Sequence, residues 1–594
     1  MLKLKFLWGG TKMKKIKLSI LLLAVGLILL TISISVLACT SFIVGKKASV
    51  DGSTMITICQ DQPEYDFRLE YIPPKDHKEG TIKTLYDYPQ KFRWWDEYGN
   101  PIDAHAPERI AAKIPEVAHT YGYIRRMFGV MNEHQLSTGM ATMSHMYLRN
   151  ELWCQETKLR MTTLSYLAME RAKTAREAIK VITKFAEQYG FKGERVPGKT
   201  LVIGDPNEVW VLHMIEPGPF WSPGCGEPGC IWVAQRVPDD HVAIIPNGIE
   251  IGNIDFDDPD NFMYSSNIKS FAEEMGWYDP ESGLPFNFIE VYTEGKPTGW
   301  GVAERQWRGY QLLAPSLKLP TPDEAYTMKD SNGWPYRYPF SVKAERKISA
   351  ADLMSFYRDH GEGTYLDLTK GPLAGPFGIP TRTFGSSFTI NDEKIHELRG
   401  LEGDGTTYSQ VCVMRSWLPD PIGGVAWWAP GRQTTAFYVP FYCGINKIPD
   451  AYTTGNQFEM EWGKTAYWAA TFVNTFSNVM YSYIIEDVKK KQSELEGEAF
   501  AAIPLIDKIA LDLYKSDPKL GPKQAKEYLT QWCYQHAENV VERYWDFANN
   551  LIVKYHNRYI NQPKISTKPK IPDEDYWLNL ALEYQKNVRG RVIK

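Results

Sequence analysis

The sequence predicts an α+β protein in which strands come first and helices last, and three observations carry that expectation. Short apolar runs bounded by turn residues recur from Thr40 to Val439. Between them, Thr162 to Tyr189 places Leu164, Leu167, Ala168, Ala172, Ala175, Ile179, Ile182, Phe185 and Ala186 at helical spacing. From about Phe458 onward helix formers dominate.

The first element in the chain is an export signal. Lys14, Lys15 and Lys17 form a basic region, Leu18 to Leu37 carry no charge, and Val36 and Ala38 are small enough for the −3 and −1 positions of a cleavage site. Met13 makes a better natural start than Met1, because the signal is already complete from there. Cleavage after Ala38 is the expectation. The apolar stretch exceeds the ~7–15 residues of most cleaved signals and overlaps the ~18 that suggest a membrane helix, so an uncleaved anchor stays open. Val36-Leu37-Ala38-Cys39 also approximates a bacterial lipobox, in which the sulfur would carry lipid. The chain thus divides into a signal at 1–38, a core at 39–457 and a mostly helical region at 458–594.

Thr40 to Val44 and Thr54 to Ile58 read as a hairpin, with Asp51-Gly52 in the turn. Thr162 to Tyr189 reads as one helix ended by Gly190. Strands follow at Thr200 to Gly204, Val209 to Met214 and Cys230 to Arg236, the first two joined by Asp205-Pro206-Asn207. Ser349-Ala350-Ala351-Asp352 has the form of a capping box and opens a helix to about His360. Gly371 to Pro380 and Pro419 to Gly424 read as loops, followed by strands at Gly424 to Trp428 and Thr435 to Val439. The last helices are Tyr481 to Ala502 and Pro522 to His556. No internal repeat is evident.

Composition narrows the function. A net charge of −4 and a pI near 6.3 give no reason to expect a nucleic-acid partner. About 555 residues remain after the signal, enough for a substantial core. Eight cysteines in such a length are no disulfide scaffold. Cys225 and Cys230 are close enough for a local disulfide, with two free thiols as the other reading and a metal half-site unsupported by any second pair. The scattered Cys59 is read as a small buried side chain. No metal or organic cofactor is implied.

The chemistry centres on Cys39. Cleavage after Ala38 would give this thiol an α-amino group on its own carbon, and such an amine titrates near ~7.7–8. Nucleophile and base would appear together at the head of a strand, with no histidine required. The eleven histidines form no HExxH pair and no cysteine-protease signature.

Six segments in a shared order then carry a resemblance: CTSFIVGKKASVDGSTMIT from Cys39, AHTYGYIRRMFGVMNEHQLSTG from Ala118, RAKTAREAIKVI from Arg171, GDPNEVWVL from Gly204, RSWLPDPIGG from Arg415 and YVPFYCGI from Tyr438. The chain resembles the dipeptidase family of N-terminal-nucleophile cysteine hydrolases, the PepD-type dipeptidases with secernins as distant relatives. The resemblance implies an αββα sandwich, small peptides as substrates and Cys39 as nucleophile. It also assigns Asp61 an orienting role, although Ile58 stands where the related motif has an arginine. Asn247 matches an asparagine beside the nucleophile, as oxyanion donor or as a holder of the α-amino group; a plain Pro-Asn-Gly turn is the other reading. Arg305 matches a later arginine, with a surface or structural ion pair as the alternative. Asn132 and Glu133 resemble a strand-turn motif and are read as structural.

The expectation is an exported cysteine dipeptidase, extracellular or in the cell envelope. Two further classes stay open: an amidase of the same fold acting on non-peptide amides, and an anchored binding protein without turnover. A tether through an uncleaved signal and a homo-oligomer are compatible with the sequence.

Overall fold

The computed structural model describes residues 38–594 except 64, 89–99, 144–147, 195, 382–386, 391–392, 397, 456, 562–577 and 579–594. The expected export signal lies outside the described residues but for Ala38. Among the described residues, no helix is long and apolar enough to cross a membrane.

The first part of the chain contributes strands β1 (Ala38–Val44), β2 (Thr54–Asp61), β3 (Glu70–Ile72), β4 (Tyr123–Arg125), β5 (Gly129–Asn132) and β6 (Ser137–Thr142). Helices α1 (Met161–Arg171) and α2 (Ala175–Tyr189) follow. Then come β7 (Gly198–Gly204), β8 (Val209–Ile215), β9 (Ile231–Val237), β10 (His241–Ile245) and β11 (Phe262–Tyr264). The later part supplies α3 (Trp300–Leu313), β12 (Val342–Lys343), α4 (Ala350–Tyr357), β13 (Thr406–Met414), β14 (Val425–Pro430) and β15 (Val439–Tyr442). Three helices close the described chain: α5 (Ala466–Ser477), α6 (Tyr481–Ser516) and α7 (Gly521–Tyr555).

Two sheets stack on each other. One has the order β12–β10–β1–β2–β13–β14–β15, the other β11–β9–β8–β7–β6–β5–β4–β3, and the named pairings are antiparallel. Strands β1 and β2 face β6 and β7 across the core, while α1 and α2 cover the outer face of the second sheet. Helices α3, α4, α5 and α7 pack against the first. Both sheets are covered on both faces, so β2, β7, β8 and β13 are buried at every position, and buried polar members such as Gln60 and Gln410 hydrogen-bond to the facing sheet. Gly139 and Gly204 let the layers approach: a Cβ at Gly139 would stand 3.2 Å from Ile58, and one at Gly204 2.6 Å from Met414 and 3.1 Å from Ile56.

The hairpin β1–β2 forms as the sequence predicts, with Gly52 at φ 88° and Asp51 Oδ1 accepting from the Ser53 N–H. Ser349 and Asp352 close a full capping box, and α4 ends at Tyr357.

Two expectations are corrected, and one left open between two readings is decided. The helix predicted over Thr162 to Tyr189 is two helices, α1 and α2, separated at Ala172–Thr174. Thr174 accepts from the Glu177 N–H and restarts the helix, and Asn132 Nδ2 donates to the Met169 and Ala172 carbonyls at the end of α1. The apolar periodicity runs through the break because both helices bury the same side against one sheet. Thr435 to Val439 is a turn that enters β15, since Ala436 bonds back to the Arg432 carbonyl. Cys225 and Cys230 are free thiols, one exposed and one buried. Asn132 is structural as expected: its Oδ1 accepts from the His134 and Leu136 N–H groups.

Candidate active site

Cys39 lies one residue into β1, opposite Gln60 of β2, and its side chain points between the sheets against Ile58 and Ala141. It is 2 % exposed. The thiol donates to Gln60 Oε1 at 3.6 Å, and Gln60 is held in turn by its Nε2 donating to the Met140 carbonyl at 2.6 Å. Burial pushes the Cys39 thiol up to about 11 and the nearby Asp61 charge adds to the shift, while a hydrogen bond from the Asp61 backbone, Lys199 and Arg305 pull it down. A sulfur in this setting is a thiol at neutral pH and needs a base to become a nucleophile.

The nitrogen of Cys39 is held as firmly as its sulfur. Its N–H donates to Asn247 Oδ1 at 2.7 Å, and Arg305 Nη2 donates to the same oxygen at 3.0 Å. Both lone pairs of that oxygen are thus taken. Asn247 therefore serves the nitrogen of Cys39, just beyond the end of β10.

Arg305, on α3, is 2 % exposed and is no surface ion pair. Nη1 donates to the Cys39 carbonyl at 2.7 Å and to Thr40 Oγ1 at 3.1 Å, and Nε to the Gly301 carbonyl at 2.7 Å. Burial lowers its pKa to about 10, with the like charge of Arg399 adding to the effect. One guanidinium thus fixes both the backbone of Cys39 and the amide that holds its nitrogen.

Asp61 ends β2 opposite Ala38, and its side chain turns to the other face of the sheet. Oδ2 accepts from Arg399 Nη2 at 2.5 Å and Oδ1 from Thr406 Oγ1. Asp61 thus takes its arginine partner, Arg399, from a distant loop, and Ile58 packs beside Cys39. A Cβ on Gly403 would stand 2.5 Å from Asp61, so this loop closes on the carboxylate only because Gly403 lacks one. Cys59 shares that outer face, with Sγ 3.7 Å from the Leu401 carbonyl, away from the inter-sheet space where Cys39 points.

Behind Asn247 lies a group that sequence reading missed. Glu250 is buried, and Gly248 approaches so closely that a Cβ there would stand 2.5 Å from Oε1. Burial pushes its carboxyl up to about 8, against the pull of Arg305 and of the Glu250 and Gly248 backbone N–H groups. His213 Nε2 stands 3.6 Å from Glu250 Oε2, accepts from the Glu250 backbone N–H, and burial drives its pKa down to about 3. The imidazole is neutral, and its Nδ1–H donates to Thr200 Oγ1 at 2.8 Å.

Cys39, Asp61, Asn247 and Arg305 are thus brought to one end of the sandwich from β1, β2, the segment after β10 and α3. Gln60, Arg399, Thr406 and Glu250 join them without any sequence signal: each is a single polar residue whose partner lies in another element.

The family model described as peptidase family C69 matches residues 38–494. A probable dipeptidase of Latilactobacillus sakei is 25 % identical over 434 residues, covering 71 % of this chain and 78 % of the relative. A probable dipeptidase B of Streptococcus pyogenes serotype M1 is 24 % identical over 521 residues, covering 86 % and 92 %. Dipeptidase A of Lactobacillus helveticus is 23 % identical over 444 residues, covering 71 % and 78 %.

Proposed function

The chain belongs to peptidase family C69, and from that premise we propose that it is an exported dipeptidase whose nucleophile is Cys39 and whose base is the α-amino group of the same residue. The single observation that carries this reading is the clamp on the Cys39 nitrogen. Asn247 accepts from an atom that, in an uncleaved chain, is an ordinary peptide nitrogen at a strand end paired on the β2 side, where pairing with β10 begins only at Ser41, and Arg305 donates to the same amide oxygen. Once Ala38 is removed, that nitrogen becomes an amine held beside a thiol that needs a base. The names of the relatives support dipeptides as substrates, and the helix–sheet–sheet–helix layering supports the αββα sandwich of N-terminal-nucleophile hydrolases.

The amine takes the thiol proton, and the thiolate attacks the scissile carbonyl carbon to give a tetrahedral oxyanion. Collapse breaks the carbon–nitrogen bond as the ammonium returns the proton to the leaving amine. Water then attacks the thioester, giving a proton to the amine, and the thiolate leaves and is reprotonated. The positive charge of Arg305 favours the neutral form of the amine, and the carbonyl of Asn247 orients one of its hydrogens.

Burial of the Cys39 sulfur between Gln60, Ile58 and Ala141 speaks against a lipid on it, since a diacylglycerol thioether has no room between the sheets. The test compares protein beginning at Cys39 with protein beginning at Ala38, each N-terminus verified by mass spectrometry. The expected result is dipeptide hydrolysis by the first and a loss of roughly 10³-fold or more in the second. Equal hydrolysis by both would remove the α-amino base, and a lipid on Cys39 in the native host would remove the thiol mechanism.

A further inference from the structure

Two glutamines of the first sheet reach across to the second in the same way. Gln60 of β2 donates from Nε2 to the Met140 carbonyl at 2.6 Å, and Gln410 of β13 donates from Nε2 to the Thr138 carbonyl at 2.9 Å. Both acceptors belong to β6, two residues apart, and both glutamines are fully buried. A peptide carbonyl only accepts, so each amide must turn its nitrogen to β6 and its oxygen elsewhere. Gln410 Oε1 receives Arg126, through Nε at 3.4 Å and Nη2 at 3.2 Å. Gln60 Oε1 receives the Cys39 thiol at 3.6 Å.

The two oxygens therefore meet donors of different kinds. A guanidinium keeps its protons, whereas a thiol must lose its proton to become a nucleophile. An amide oxygen beside sulfur bonds the thiol and repels the thiolate, so it favours the protonated form. The same bond gives the sulfur a direction. Register sets Cys39 opposite Gln60, and the other two neighbours of the thiol, Ile58 and Ala141, are apolar. The anchor beneath Gln60 is rigid, because β6 pairs with β7 from Ser137 to Thr142.

We propose that Gln60 is the positioning residue of the nucleophile: its amide, anchored on β6, holds the Cys39 thiol between the sheets and keeps it protonated until the base takes the proton. The inference rests on Cys39 as nucleophile, proposed above, and deepens it; it does not require that the base be the α-amino group. Gln410 shows what such a bridge does without a nucleophile beside it, which is to join the sheets. What Gln60 adds is an acceptor at the sulfur. That acceptor aims the thiol and opposes its ionisation at once. Removing it should make Cys39 easier to ionise and harder to aim, so that reactivity toward a small reagent and hydrolysis of substrate move in opposite directions.

The experiment compares mature native protein with Gln60→Met, which keeps the volume and removes the acceptor, and with Gln60→Glu, which puts a carboxylate in its place. Two rates are read at neutral pH. One is alkylation of Cys39 by iodoacetamide, located by peptide mass spectrometry so that the exposed Cys225 does not count. The other is kcat/KM on a dipeptide. Gln60→Met should alkylate roughly 5- to 10-fold faster and hydrolyse roughly 10-fold slower, with most of the loss in kcat. Gln60→Glu should be slower in both, since a carboxylate near sulfur lowers the thiolate fraction about 10-fold or more. Alkylation that falls in both variants, or hydrolysis that rises with alkylation in Gln60→Met, would overturn the inference and leave Gln60 a bridge like Gln410. Repeating the alkylation on protein beginning at Ala38 separates Gln60 from the proposed base. Opposite shifts in the two variants there, with equal hydrolysis by protein beginning at Cys39 and at Ala38, would keep the role of Gln60 and remove the amine. Hydrolysis that depends on the amine, with alkylation indifferent to Gln60, would do the reverse.

Discussion

Two buried polar regions of this molecule, the Cys39 clamp and the Glu402 network, treat charge in opposite ways. Around Glu402 the groups complete one another. Oε1 accepts from Arg432 Nε at 3.1 Å, from Nη2 at 2.7 Å and from Thr434 Oγ1, while Oε2 accepts from the Thr434 N–H at 2.9 Å. His360 bridges Thr434 Oγ1, at 2.8 Å, and Glu362, at 3.2 Å. Burial alone would raise the Glu402 carboxyl, but Arg432 and His360 hold it down to about 2, and His360 is driven up to about 9 by Glu362 and Glu402 despite burial. In the Cys39 clamp every large shift runs toward the neutral form: Cys39 up to about 11, Glu250 up to about 8, Arg305 down to about 10. A network that stabilises its own charges holds the fold together. One that leaves them poorly solvated is where perturbed groups of a functional site are expected.

The largest effect expected from this contrast is on stability. Glu402→Gln should destabilise the protein by about 4 kcal/mol at pH 7, because Arg432 and His360 would remain buried without their carboxylate. Chemical denaturation measures it, and a loss below about 1 kcal/mol would show that the network is not what separates the two regions.

Glu250 tests the opposite sign. Its folded pKa is raised, so its contribution to stability is fully present below the unfolded value of about 4.5 and is lost as pH rises toward about 8. Glu250→Gln should remove that decline and bring the variant about 3 kcal/mol closer to its acid-side stability at pH 7 than the native protein is. Parallel stability curves from pH 4.5 to 8 would refute the uncompensated carboxyl.

Asn247→Ala should lower kcat/KM on dipeptides roughly 10²-fold, since it frees the Cys39 nitrogen and removes an acceptor from Arg305. Steady-state rates that stay within a few-fold of native would break the clamp. The smallest effect belongs to Cys59→Ser, which should change activity less than ~3-fold, because this thiol points away from the inter-sheet space and has no amine of its own. A loss as deep as that of Cys39→Ser would reverse the assignment of the nucleophile.

How much of this was legible follows from range. The β1–β2 hairpin and the α4 capping box could be read because each is encoded within a few neighbouring residues. The continuous helix predicted over Thr162 to Tyr189 failed where a residue remote in sequence, Asn132, takes the carbonyls at the end of α1. In the site, Cys39 stood out by its place at the head of the first strand, and Asp61, Asn247 and Arg305 through family resemblance. Gln60 was hidden because a glutamine in a strand carries no mark of facing a thiol. Arg399 was hidden because it meets Asp61 across 338 positions, from a loop with no motif of its own.

By itself the sequence determined the strand-first, helix-last order and the place of Cys39 at the head of the first strand, just after a basic and then apolar stretch. Those properties are local or additive, and survive being read one residue at a time. Only the tertiary structure decided that Arg399 pairs with Asp61, that Asn247 turns its oxygen to the Cys39 nitrogen, and that Gln60 faces the Cys39 thiol. Each depends on register between strands far apart in the chain, and on burial, which sets how much a charge is worth.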